Sequence, residues 1–328
     1  MHKKKIVIWG TAKRAAMYSE WLMDIFEVVA YVSTNSISGD IHGIPVLTSE
    51  EMVKVEFDLI ILCVEQWDLD MTKDKIAQID AAVLQKAKSI DDIVESNTEK
   101  SYLSFTNNRQ IEIIKELLAA SDEEALNYDW MLKRVLSFGL FCFYDEIWPS
   151  VQAHWTVYGL QQIPEEFAAF CNQVAKQCVQ SAAEIGVYRG RSAYFLCAIL
   201  ARHSSKMRYK MIDIVDRLDD FALFQEVLPQ LEKCIPKTSA NYKEYSFDFV
   251  FIDADHSYDA SIADYENVGR NAEKMVAMHD IYAHEYDNEN GGIVRTWEEV
   301  LEKTSDKVHH IFSIYPNKWM GIGCVEMS

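Results

Sequence analysis

Proline and glycine are scarce, 6 and 12 residues in 328, and no tract is dominated by one residue type, which excludes collagen-like, mucin-like and long disordered architectures. Positive charge is the next shortage. Lys and Arg total 32 against 51 Asp and Glu, a formal charge of −19. A chain this acidic repels phosphate backbones and anionic headgroups, so neither nucleic acid nor a membrane surface is an expected partner. Long apolar runs are missing too. The basic start Lys3 to Lys5 leads only into Ile6, Val7, Ile8 and Trp9, short of the roughly 7–15 residues of a signal-peptide core, and no segment reaches the ~20 of a membrane span. The seven cysteines (Cys63, Cys142, Cys171, Cys178, Cys197, Cys234, Cys324) form no CxxC pair and are odd in number. That pattern suits reduced thiols in a cytoplasm and argues against a disulfide framework or a cysteine-only zinc site.

At roughly 100 to 200 residues per domain, this length predicts two domains with cores of their own. Residues 1–98 alternate strand and helix signals: an apolar run to Trp9, Gly10, helical spacing from Ala15 to Phe26, a strand at Val28 to Val32, the turn His42-Gly43-Ile44-Pro45-Val46, a helix start at Ser49, and the buried strand Phe57 to Val64. Residues 99–150 predict a helical connector, with helices over Arg109 to Ala120 and Asp122 to Phe143. Its aromatics Tyr128, Trp130, Phe138, Phe141, Phe143 and Tyr144 fit buried packing better than a substrate pocket. From 151 to 328 the alternation resumes: helix 164–177, strand 181–185, helix 192–202, strand 209–214, helix 219–231, strand 247–253, helix 259–271, strand 274–278, and late strands near 310–314 and 321–326. The fold class is therefore α/β, a Rossmann-like C-terminal domain preceded by a smaller Rossmann-like one.

Two strand-to-helix turns are candidates for nucleotide binding. In Gly10-Thr11-Ala12-Lys13-Arg14-Ala15, alanine stands where a pyrophosphate needs bare backbone, and the second strand ends in Val32-Ser33-Thr34 without an acid for a ribose. The second turn, Ala183-Glu184-Ile185-Gly186-Val187-Tyr188-Arg189-Gly190-Arg191-Ser192, has an acid before its glycines, and the next strand ends in Asp213. Those acids suit a cationic ligand with hydroxyls, Asp213 taking both hydroxyls of a ribose.

Together with KMIDI (210–214), FDFVFIDADHSYDASIADYE (247–266), MVAMHDIY (275–282) and GGIVRTWEEV (291–300), that turn resembles the class I methyltransferases using S-adenosylmethionine, in particular a bacterial group with DxDHSY and HD segments. The resemblance spans about 150–328 and includes the lead-in Ile163 to Phe167. It implies a cofactor held by Glu184, Gly186, Tyr188, Gly190, Ser192, Asp213 and Asp253. The N-terminal third resembles small Rossmann-like domains fused to sugar-modification enzymes, through its glycine turn and Gly43 to Val46. Two departures stand out: Asn271-Ala272-Glu273-Lys274 replaces the usual Gly-Gly, and the region between Asp216 and Lys237 is short.

At the strand ends, Asp253, Asp255 and His256 are expected to meet His279 and Asp280. Methyl transfer to oxygen needs a base, a metal that lowers the hydroxyl pKa, or both. His279, Asp280 and His256 are the candidate catalytic residues, and Asp253 with Asp280 the candidate ligands of Mg2+ or another divalent ion. His284 and the acids from Glu285 to Glu289 predict an exposed loop, and His309-His310 point to opposite faces of a strand. The expected activity is O-methylation of a sugar, glycan or other polar small molecule. An inactive cofactor-binding scaffold and an NAD(P) oxidoreductase using the first turn are the alternatives, and monomer and homo-oligomer stay open.

Overall fold

The computed structural model describes residues 2–34, 39–97, 100–141, 151–314 and 319–327. It divides into two compact units, 1–109 with 139–159, and 110–138 with 160–328. The expected connector is thus shared between them, and the division falls inside one helix, Tyr102–Ala119. Among the described residues no helix is long and apolar enough to cross a membrane.

The first unit is built on six strands, β1 (Lys5–Trp9), β2 (Glu27–Val32), β3 (Gly39–Ile41), β4 (Ile44–Leu47), β5 (Leu59–Leu62) and β6 (Ala87–Ser89), in the order β3-β4-β2-β1-β5-β6. All pairings are parallel except β3 with β4. Ile6, Val7, Ile8, Ile60, Ile61 and Leu62 are fully buried, as strands covered on both faces must be. The helices Ser49–Met52 and Ile90–Ser96 each begin with a capping box, Thr48 with Glu51 and Ser89 with Asp92. Strands β3 and β6, three residues each, are too short to show alternation and are not legible in the sequence.

The second unit carries β7 (Ser181–Ile185), β8 (Arg208–Ile212), β9 (Leu231–Cys234), β10 (Phe249–Ile252), β11 (Met275–His279), β12 (Val308–Phe312) and β13 (Ile322–Glu326), in the order β12-β13-β11-β10-β7-β8-β9. Strands β7 to β11 run parallel, and β13 is antiparallel to both β11 and β12. The order reverses between β7 and β10, the switch point where an α/β sheet opens a crevice at its carboxyl ends. Helix Arg191–Ala201 is buried along nearly its whole length.

The expected helix 219–231 is a correction. It spans only Phe221–Val227, and Leu231, its expected last residue, opens β9. Pro229 disfavours a helical Leu228 and cannot continue the helix. The helix expected over Asp122 to Phe143 is two helices, Asp122–Ala125 and Tyr128–Phe138, and the second ends before Gly139. The ring of Phe138 packs edge-on against Phe195 at 5.3 Å, and the Arg134 guanidinium sits 4.0 Å from the Trp130 ring centre. These aromatics pack within the protein, while Phe143 and Tyr144 lie outside the described residues.

Candidate functional site

The backbone at the switch point comes first, because it fixes where the polar side chains emerge. Gly186 follows β7 with φ +84°, and its N–H donates to Ile212 O at 2.9 Å. A Cβ there would lie 2.1 Å from Asp253 O. Glycine is therefore required by the approach of the β10 strand end, and not only by a ligand. Gly190 caps helix Arg191–Ala201. Two non-glycine residues, Tyr188 (φ +46°) and Asp280 (φ +59°), hold left-handed conformations at the ends of β7 and β11, and strain of this kind concentrates at functional sites.

Glu184, the penultimate residue of β7, has no exposed surface. Its Oε1 accepts from the Ser192 hydroxyl at 2.5 Å and its Oε2 from the Tyr209 hydroxyl at 2.6 Å. Burial pushes its carboxyl up to about 8, against the pull of the two hydroxyls. Glu184 and Ser192 thus brace the glycine turn from within the core. Asp213 is half-buried at the end of β8. Its Oδ2 accepts from the N–H of Val187 and of Tyr188, each at 3.0 Å, and its Oδ1 from the N–H of Val215 at 3.0 Å. The loop that follows is tied back to the turn by Arg189, which donates to Asp219 Oδ2 at 2.8 Å.

The second feature is a cluster of two acids and two histidines. His279 Nδ1 lies 3.2 Å from both Asp253 Oδ1 and Asp280 Oδ2. His256 Nε2 lies 3.2 Å from Asp280 Oδ2 and 3.6 Å from Asp253 Oδ1. The other oxygen of Asp253, Oδ2, accepts from Gln162 Nε2 at 3.2 Å. Burial opposes charge on Asp253 and on His279, but their pairing wins: the His279 imidazole holds the Asp253 carboxyl well below its usual range, and the two carboxylates raise His279 well above the ordinary imidazole value. His256 is raised in the same way, by Asp253 and Asp280. His279 is 3% exposed, whereas His256 keeps 17% of its side-chain surface and stands against the edge of the Tyr286 ring at 5.0 Å.

The expected meeting of Asp253, His256, His279 and Asp280 is found. Asp255 does not join it, since its Oδ1 accepts from Ser257 N at 2.9 Å and closes its own turn. His284 pairs with Asp287 at 3.2 Å in an exposed segment. His309 and His310 take separate partners, Thr304 and Glu326, each at 3.0 Å. Sequence reasoning missed Gln162 and Tyr209. Tyr209 pairs with Ala182 in the β7–β8 register, one step along the same face from Glu184, so a correct register would have found it. Nothing in the sequence signals Gln162.

Residues 183–281 match a family model described as a methyltransferase domain, and residues 2–85 match one described as C2185-like, N-terminal. No curated protein matches the chain. Among solved structures, an O-methyltransferase from Bacillus cereus with SAH is 20% identical, with a TM-score of 0.36, over 47% of this chain and 77% of that one. The O-methyltransferase TomG from Streptomyces achromogenes, involved in tomaymycin synthesis and bound to SAM, is 14% identical, with a TM-score of 0.38, over 47% and 75%. The second unit has a Rossmann-like fold of the methyltransferase type, and its family match begins at Ala183, before the glycine turn, and ends at Ile281, just past Asp280.

Proposed function

We propose that the second unit transfers a methyl group from S-adenosylmethionine to a hydroxyl of a sugar, glycan or other polar small molecule. The observation that carries this reading is the arrangement of acids on either side of β7: Asp213 at the end of β8, and Asp253 with its histidines at the end of β10. A carboxylate offers about four acceptor positions, so Asp213 can hold its three backbone N–H groups and still receive one ribose hydroxyl. S-adenosylmethionine, when bound, supplies an electrophilic methyl on a cationic sulfonium. The turn Gly186 to Gly190 with Tyr188 and Asp213 would hold it, and Glu184 and Ser192 keep that turn in shape.

At the acceptor side, His256 is the proton acceptor and His279 the buried support. Among the described residues His256 Nε2 makes no hydrogen bond, although it lies 3.2 Å from Asp280 Oδ2 and 3.6 Å from Asp253 Oδ1. When unprotonated it would take the hydroxyl proton as the methyl passes to the oxygen, and the two carboxylates would stabilise the imidazolium formed. His279, between both carboxylates, fixes their positions. Titration calorimetry of the full chain with S-adenosylhomocysteine tests the cofactor half, where binding heat and a thermal shift are expected. No heat and no shift at millimolar ligand would retire the proposal.

A second reading rests on one observation: ligand atoms of Asp253, His256 and Asp280 all lie within 4.8 Å of one another. Two carboxylates and an imidazole suit a divalent ion of mixed N/O preference, such as Mn2+, better than Mg2+. An ion held there would lower the pKa of the acceptor hydroxyl. A thermal shift with Mn2+ that Asp280→Asn abolishes would favour it; no shift with either ion leaves the base reading alone.

A further inference from the structure

Glu166 stands in the first turn of helix Pro164–Val174 and is 2% exposed. Its Oε1 accepts from the N–H of Ile314 at 2.6 Å and its Oε2 from the N–H of Gly321 at 3.1 Å. One donor lies just past β12 and the other just before β13. Because β13 runs antiparallel to β11, with Ile322 opposite His279, both donors sit at the end of the sheet where the parallel strands open their crevice. Past that pair of residues the two segments stay bonded. Ile281 N donates to Gly321 O at 3.3 Å and Tyr282 N to Met320 O at 2.9 Å. The backbone around these bonds is left-handed on both sides, with φ +59° at Asp280, +55° at Met320 and +85° at Gly321. Such conformations persist in non-glycine residues only where the surroundings over-determine them. Gly321 supplies that constraint: it donates to Glu166, accepts from Ile281, and a Cβ on it would come within 2.7 Å of Tyr282 Cδ2.

We propose that Glu166 is a positioning residue for the acceptor side: by holding Gly321 it fixes the segment Asp280 to Tyr282, and with it the Asp280 carboxyl between His256 and His279. The proposal rests on the part given to Asp280 in the methyl transfer argued above. Asp280 Oδ2 lies 3.2 Å from both His256 Nε2 and His279 Nδ1, so a displacement of that segment alters both pairings at once. The route is short and made of backbone groups: Glu166 Oε2 to Gly321 N–H, then Gly321 C=O to Ile281 N–H, one residue from Asp280.

The test reads the histidine rings by NMR in the full chain, labelled with 15N at histidine, and needs no acceptor. Asp280→Asn sets the reference, since it changes the group that both rings face. Glu166→Gln is nearly isosteric, but its single oxygen serves only one of the two donors. The bond to Ile314 is the shorter, which leaves the amide NH2 facing Gly321 N. Glu166→Gln is expected to move the His256 and His279 signals in the direction set by Asp280→Asn, and to move neither further when added to Asp280→Asn. The ring of His203, bonded to Ala175 O at the far end of the same helix, should stay in place, and affinity for S-adenosylhomocysteine should be unchanged. If Glu166→Gln does not fold, Glu166→Asp, which draws both oxygens back by one carbon, must move the same two rings. Rings that stay put in a folded variant, or that move as far in the Asp280→Asn background as in the wild type, would make Glu166 a mere tie between its helix and β12–β13 and overturn the proposal. A variant with weakened S-adenosylhomocysteine binding would overturn it too. A wild-type chain that binds no S-adenosylhomocysteine is a different result: it sinks the methyl-transfer reading, while the ring signals still decide whether Glu166 sets Asp280.

Discussion

The two units use one backbone device and place different chemistry on it. In the first, Gly10 N donates to Val32 O at 2.9 Å and Cys63 N to Trp9 O at 2.9 Å; in the second, Gly186 N donates to Ile212 O and Asp253 N to Ile185 O at the same distances. An added Cβ would meet Cys63 O at 2.5 Å in the first unit and Asp253 O at 2.1 Å in the second. The frames thus superpose residue for residue: Ile8 answers to Glu184, Ser33 to Asp213 and Cys63 to Asp253. At these three positions the first unit carries no acid, and burial pushes the Cys63 thiol up to about 12. A glycine turn between parallel strands is consequently a folding solution. The chemistry lies in the residues one step past each strand end.

The hardest test of the shared frame is the glycine itself. Gly186→Ala and Gly10→Ala each force a side chain against a strand-end carbonyl at positive φ. Each should cost roughly 4 kcal/mol or more in urea unfolding. A tolerated alanine at either site would show that the parallel between the turns is only apparent.

The next largest effect separates Glu184 from Ile8, since both are fully buried and only one titrates. With a folded value of about 8 against about 4.5 for a carboxyl exposed in the unfolded chain, the folded state binds the proton more tightly than the unfolded one. Stability from this group is full below about pH 4.5 and falls as pH rises towards 8, by up to a few kcal/mol. Urea unfolding across that window should show the decline in the wild type. Glu184→Gln should flatten it.

Asp280 follows β11, which pairs with β10 as β6 pairs with β5, so by register it answers to Asp91, an acid paired with Arg14. What sets Asp280 apart is its place beside two histidines and its left-handed φ. Asp280→Asn keeps the shape but withdraws one of the two carboxylates that stabilise a proton on His256. Methyl transfer to a responsive acceptor should fall about 100-fold, with S-adenosylhomocysteine affinity unchanged. A loss confined to cofactor affinity would move Asp280 out of the acceptor side.

Much of the shared frame was legible in the sequence. Parallel strands buried on both faces read as apolar runs, and both FDLIILCV and FVFIDADH declare themselves that way. The meeting of Asp253, His256, His279 and Asp280 was legible because residues just past adjacent parallel strands converge. Beyond that point local pattern carries no information. Asp255 differs from Asp253 only by two positions past a strand, yet closes its own turn. Gln162 reaches Asp253 across 91 residues of chain, and no spacing rule links positions that far apart. Strand β9, four residues long, is too short to declare itself by alternation.

The smallest effects bear most directly on what distinguishes the units, at the paired positions Asp213 and Ser33. Asp213 receives three backbone N–H groups of its own unit, two of them from the glycine turn. Asp213→Asn keeps one acceptor oxygen but must turn an amide N–H2 toward backbone donors, so it should loosen the turn and weaken S-adenosylhomocysteine about tenfold. Ser33 stands at the same place after β2, where its Oγ lies 3.4 Å from Thr11 Oγ1 and its N–H donates to Leu47 O at 3.1 Å. Ser33→Ala should shift stability by less than about 0.5 kcal/mol, the range of substitutions away from a structural keystone, and leave S-adenosylhomocysteine binding unchanged. If calorimetry instead shows Ser33→Ala weakening that ligand as much as Asp213→Asn does, the ligand is bound through the first turn, and the charge at the strand ends is not what tells the two frames apart.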